Sequence, residues 1–298
     1  MTRTHFTLDE DLQLALHLAD AADAISRERY LSLDLEVSTK PDKTPVTDAD
    51  RAIERAIIDI LAAERGDDFM LGEEFGEQPG RVADHETGDG EHPHRQWIID
   101  PIDGTSNFLR GVPVWATLIA LAIDGDPVVG VVSAPALGKR WWAALGNGAW
   151  VDESNDPLSN IPVPDELDGR LVTPMHAVAE PRRLAVSSVA NLADASISYN
   201  SLQQWDQAGY LDKLVGLSRK VWRTRAYGDM WSYMLVAEGV VDVAGEFDLK
   251  PYDMAALMPI VREAGGMFTS IDGHADCWHG SALATNGHLH DAVRAELT

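Results

Sequence analysis

The run Trp97-Ile98-Ile99-Asp100-Pro101-Ile102-Asp103-Gly104-Thr105 constrains the fold of this chain more than any other stretch. Three large apolar residues in succession read as a buried strand, and one that ends in Asp-Pro-Ile-Asp delivers two carboxylates at its end. Pro101 disfavours the helical region for Asp100, so the carboxylates of Asp100 and Asp103 and the Ile102 carbonyl can converge around the turn. Hard oxygen donors of this kind suit magnesium. Gly104 and Thr105 then open a helix beginning near Ser106 and Asn107, whose first N–H groups carry the positive partial charge that holds a phosphate. An ordinary surface turn also favours Asp and Gly. The Trp-Ile-Ile run in front is what a surface turn does not need.

Three further acidic positions could join this turn. Glu73 and Glu74 follow Phe69-Met70-Leu71 and Gly72, an apolar run read as a second strand; alone they would be solvated acids at a loop exit. Thr47 caps a helix whose stripe is Ile53, Ile57, Ile60 and Leu61, which puts Asp48 and Asp50 in its first turn. Asp253 is expected at the N-cap of a helix over 254–264, where capping by itself accounts for an aspartate.

Around these positions helices and strands alternate. Thr7-Leu8-Asp9-Glu10 forms a capping box for a helix of about five turns. A polar loop follows over 37–45, and an antiparallel meander runs through Thr117–Ile123, Pro127–Ser133 and Arg140–Leu145. The second half reads as strands over 184–189, 220–224 and 240–247, with helices over 205–217, 230–238 and 254–264. This order predicts a layered α+β fold of the αβαβα kind, one domain with two sheet-containing sub-domains of about 1–165 and 166–298. Residues 76–94, with His85, His92 and His94, read as a solvated excursion.

Charge narrows the partners. The 298 residues carry 48 acidic against 24 basic side chains, a formal charge of -24, which repels nucleic acid and anionic lipid and attracts cations. The single cysteine, Cys277, forbids an intrachain disulfide. There is neither a signal-peptide pattern nor an apolar run long enough for a membrane helix, so a cytoplasmic location is expected.

Taken together, Lys40 to Asp50 (KPDKTPVTDAD), Gly72-Glu73-Glu74, Trp97 to Phe108 (WIIDPIDGTSNF) and Tyr252 to Ala256 (YDMAA) resemble the inositol-monophosphatase-like superfamily of lithium-sensitive, metal-dependent phosphatases, in its order and spacing. Val112 to Thr117, Ser133-Ala134-Pro135, Arg140-Trp141-Trp142 and Arg223 to Asp229 are most similar to its actinobacterial-type histidinol-phosphate phosphatases. The resemblance implies two or three Mg2+ per site, with Glu73, Asp100, Asp103, Asp253 and the Ile102 carbonyl as ligands. It also implies catalysis by Glu73 and by Thr105 paired with Asp50, and contacts to substrate from Glu73, Ile102, Asp103, Gly104, Thr105, Arg225, Gly228, Asp229, Glu246 and Asp253. The expected reaction is hydrolysis of L-histidinol phosphate to L-histidinol in histidine synthesis, by a homodimer. The alternatives are an inositol-1-phosphate phosphatase and, from another class, a non-catalytic partner protein, against which the full carboxylate set argues. Tyr252 replaces the family's usual tryptophan and Ser106 a common threonine; neither removes a carboxylate.

Overall fold

The computed structural model describes residues 6–40, 44–80, 94–153, 166–167, 170–171 and 180–298. In chain order the first half comprises α1 (Leu8–Arg29), β1 (Val37–Thr39), β2 (Pro45–Thr47), α2 (Asp48–Glu64), β3 (Phe69–Gly72), β4 (Gly76–Gln78), β5 (Arg95–Asp103), α3 (Thr105–Arg110), β6 (Ala116–Ile123), β7 (Asp126–Ala134), β8 (Lys139–Ala144) and β9 (Ala149–Asp152). The second comprises β10 (Glu166–Leu167), β11 (Arg170–Leu171), β12 (Arg182–Arg183), β13 (Ser196–Ser198), α4 (Leu202–Gln207), α5 (Leu211–Ser218), β14 (Arg223–Arg225), α6 (Asp229–Ala237), β15 (Val243–Phe247), α7 (Pro251–Met254), α8 (Leu257–Glu263), β16 (Met267–Thr269), β17 (Ser281–Thr285) and α9 (His290–Leu297).

Side-chain alternation builds the layers. Along β5 and β6, Trp97, Ile99, Ile119 and Leu121 join a core beneath α1 and α2, whereas Ile98, Leu118, Ala120 and Ala122 join a second core on the opposite face. A strand covered on both faces reads as a continuous apolar run, which is why Trp97-Ile98-Ile99 and Thr117–Ile123 show no polar alternation. The second core is closed by α6, α8 and the inner face of another sheet, through Met234, Ile260, Ala244 and Ala282. Behind that sheet, α4, α5 and α9 pack on Val243 and Leu283 through Trp205, Leu214 and Val293. The result is five layers, helix–sheet–helix–sheet–helix, in agreement with the layered α+β expectation.

The first sheet has eight strands in the order β12-β9-β8-β7-β6-β5-β3-β4, the second five in the order β14-β13-β15-β17-β16. In the first, β3 and β5 are parallel, so both strands end on the same side, and both carry acidic residues there. This pairing brings Glu73 beside Asp100.

Several elements differ from expectation. Residues 37–45 are not simply loop: β1 and β2 pair antiparallel as a short hairpin. Residues 184–189 form no strand, because Leu184 N–H donates to Ala149 O and Val186 N–H to Ala264 O, bonds to two different elements rather than a ladder. The helix expected over 205–217 is divided into α4 and α5 at Gly209, whose φ is +78°. The helix expected over 254–264 starts earlier and divides into α7 and α8.

Candidate active site

Local packing holds Asp50 in place. Thr47 and Asp50 cap one another: the Thr47 N–H donates to Asp50 Oδ2 at 2.8 Å, and the Thr47 hydroxyl accepts from the Asp50 N–H at 3.4 Å. Ile53 and Ile57 below are fully buried, each worth roughly 1.5–3 kcal/mol. The Asp50 carboxylate is therefore fixed at the helix start, where Oδ1 accepts from the Thr105 hydroxyl at 3.4 Å.

Strand β5 does not stop at Asp100. It runs on to Asp103, with an irregular register against β6 between the two. This bulge lets Asp100 and Asp103 share a site although they are three residues apart. With Asp253, each places one oxygen within 4.8 Å of the others; Asp50, Glu73 and Glu74 form a second such group. Gly104 then adopts φ +83° and caps α3, a conformation a side chain would strain, while the Ile102 carbonyl accepts from the Thr105 hydroxyl at 3.1 Å.

Asp253 sits differently from expectation, and Asp229 has an unusual backbone. Asp253 is not the N-cap of its helix. Lys250 is, and Asp253 lies three residues in, folding back to accept the Lys250 N–H at 2.6 Å. Asp229 is the first residue of α6, after Gly228 as the cap, and has a left-handed φ of +46°, rare for a non-glycine residue. Asn107 donates to its Oδ2 at 2.6 Å.

Crowding of like charge governs the electrostatics. Burial pushes the Asp100 carboxyl well above the usual carboxylate range, reinforced by Glu73, Asp103 and Asp253; Asp103 is raised by burial and then by Asp229. Burial lifts Asp253 to about 7 and Asp50 to about 6. One oxygen of Asp100 is buried without any hydrogen-bond donor. An uncompensated oxygen in an all-carboxylate pocket is what a hard divalent cation would satisfy, so the donor set fits magnesium.

On the far side of Asp103, Glu246 is buried and held by Asn200 at 2.6 Å and the Tyr233 hydroxyl at 3.2 Å. Burial first, and then Asp229, raises it to about 8. Arg225 is exposed on edge strand β14 and donates to Thr224 O. Asp248 is exposed beyond β15.

Some participants escaped the sequence reading. Lys40 is not among the expected site residues, yet its ammonium bridges Glu73 at 2.7 Å and Glu74 at 2.5 Å. Burial works against that charge, but the two glutamates outweigh it and hold its pKa up. Glu54 accepts the N–H groups of Glu74 and Phe75 at 2.7 and 2.9 Å and is raised to about 7 by burial. A signal existed: Glu54 falls on the apolar stripe one turn after Asp50. His85, His92 and Lys43 lie outside the described residues. A cavity of about 380 Å3 between α1 and the β7–β8 hairpin is lined by Arg140 and the two aspartates it pairs with, Asp20 and Asp23, and contains no residue of the carboxylate centre.

Gly72 is where the Glu54 side chain passes under the Glu73-Glu74 turn: an added Cβ would sit 1.9 Å from Glu54 Oε1. Gly72→Ala should displace Glu54, leave two half-buried N–H groups without their acceptor and cost about 2–4 kcal/mol. A melting temperature unchanged from wild type would refute this.

The inositol monophosphatase family model matches residues 7–298. The chain is 52% identical to a histidinol-phosphatase of Mycobacterium tuberculosis, over 97% of this chain and 98% of that protein. It is 50% identical to a histidinol-phosphatase of Streptomyces coelicolor, over 97% of each. Among solved structures, the extragenic suppressor protein suhB of Bartonella henselae superposes with a TM-score of 0.77 at 27% identity, covering 97% of this chain and 98% of that one.

Proposed function

Because this chain belongs to the inositol monophosphatase family, we propose that it is a magnesium-dependent phosphomonoesterase that hydrolyses L-histidinol phosphate to L-histidinol and phosphate. The observation that carries the substrate is an acidic pair, buried Glu246 and half-buried Asp229, whose charges act on each other and on Asp103. A substrate with phosphate at one end and an ammonium and an imidazole at the other matches a cation-filled centre beside an anionic wall. Two full-length relatives at 50–52% identity bear the matching name.

In this reading Asp100, Asp103, Asp253, Glu73 and the Ile102 carbonyl hold two or three magnesium ions. Bound there, magnesium would neutralise phosphoryl charge and acidify water at neutral pH. The remaining work falls to the chain. Thr105, tied to Asp50 and Ile102 O, and Glu73 orient the attacking water, whose oxygen bonds to phosphorus as the P–O ester bond breaks and one of the water's protons passes to the leaving ester oxygen. Glu246, whose carboxyl burial raises to about 8 in the empty pocket, releases its proton to solvent as the substrate cation enters and so becomes the anionic partner.

Phosphate release from L-histidinol phosphate and from inositol 1-phosphate, at equal concentrations with magnesium, tests the assignment; preference for the inositol ester would overturn it. Glu246→Gln should raise KM for L-histidinol phosphate roughly ten- to a hundredfold with a smaller change in kcat, the loss of one charge-assisted contact. Equal KM values would remove Glu246 from recognition. We further propose a cytoplasmic homodimer, which sedimentation would test by a mass twice that of one chain. Among the described residues no helix is long and apolar enough to cross a membrane.

A further inference from the structure

We propose that the loop joining β16 to β17 is a transition-metal site of the zinc type, formed by His274, Asp276 and His279. One ligand atom from each lies within 4.8 Å of the other two. His279 Nδ1 is 2.7 Å from Asp276 Oδ1, and the two imidazoles stack with centroids 3.7 Å apart and planes 2° from parallel. None of the three belongs to the carboxylate centre.

The donor chemistry separates this cluster from that centre. Two imidazoles and a carboxylate are the set zinc favours, in contrast to the all-oxygen set of the Asp100 group. The backbone beneath is fixed. Ser270 N–H donates to His274 O at 2.8 Å, His274 N–H to Ser270 Oγ at 3.0 Å, and Trp278 N–H to Asp276 Oδ1 at 2.8 Å. Trp278 Nε1 reaches Gly125 O at 3.1 Å and Arg262 reaches Ala275 O at 2.7 Å, anchoring the loop to the β6–β7 turn and to α8. Cys277 between them is buried, its thiol pushed up to about 12 by burial, and is no ligand.

His274 and His279 are exposed, so an ion reaches them from solvent. The ion takes the place of the proton between Asp276 Oδ1 and His279 Nδ1, with the neutral ring carrying its proton on Nε2 instead. Parallel rings do not aim their lone pairs at one point, so one imidazole rotates about its Cβ–Cγ bond to complete the site. Water fills the fourth position. The bound ion would stiffen a loop that joins the second sheet to a turn of the first.

The test uses full-length protein stripped of metal and returned to saturating Mg2+, then dialysed against Zn2+ beside His274→Ala and His279→Ala. Melting of all three without zinc serves as the check on folding. Wild type should retain one more equivalent of zinc than either variant, and Co2+ in its place should give visible absorption bands that both variants lose. Equal zinc content in wild type and both variants, or cobalt bands that survive the substitutions, overturns the proposal.

Discussion

Asp100→Asn should lower magnesium-dependent phosphate release by about a hundred- to a thousandfold, the usual consequence of removing one group that stabilises transition-state charge. Asp100 is 2% exposed, and the charges that act on it most strongly are the carboxylates of Glu73, Asp103 and Asp253. A buried carboxylate in such company destabilises the protein unless a cation joins it. Asparagine keeps the shape while removing the charge. The metal-free variant should therefore melt at or above metal-free wild type, which separates lost chemistry from a lost fold. Turnover within a few-fold of wild type would remove Asp100 from the metal set.

Stripping the metal should make stability depend on pH in a direction opposite to ordinary salt-bridged carboxylates. Asp50, Asp253 and Glu54 are raised by burial to about 6, 7 and 7, from 3.8, 3.8 and 4.5. A raised carboxylate binds its proton more tightly when folded than when unfolded. These groups therefore favour the folded state below the unfolded carboxylate range, and that contribution is lost as pH rises through about 4 to about 7. The metal-free protein should melt about 5 °C or more lower at pH 8 than at pH 5. Saturating Mg2+ should restore most of the difference, because it replaces the protons and binds only the folded site. Differential scanning fluorimetry after chelation measures both; a magnesium shift equal at pH 5 and pH 8 would contradict the account.

The elements best read from sequence are those whose signal is local. The Thr7-Glu10 box, the Thr47 cap and the continuous apolar runs of β5 and β6 each follow from a pattern within a few residues, and each is present. Asp100 and Asp103 meet within one local turn, but Glu73 beyond β3 could be joined to them only through resemblance, because the parallel pairing of β3 and β5 is a long-range fact. Asp253 was placed at a helix cap because a lone aspartate before an apolar run reads that way. The start at Pro251 moved it to the third helical position, where it still faces the centre. Lys40 was invisible as a member because its partners lie 33 and 34 residues away. Residues 184–189 misled for a different reason: they are β-prone in composition but bond to two elements, one at a time.

Asp103 does two jobs at once. Its Oδ2 accepts the Met230 N–H at 2.7 Å, the first turn of α6, while the same carboxylate stands in the cluster with Asp100 and Asp253. Asp229, at the head of that helix, rides on this bond, and so does the wall it forms with Glu246. Any change in charge at Asp103 is therefore felt at Asp229 and Glu246 without an intervening loop. In the function we propose, the metal centre and the surface that reads the alcohol therefore share one carboxylate.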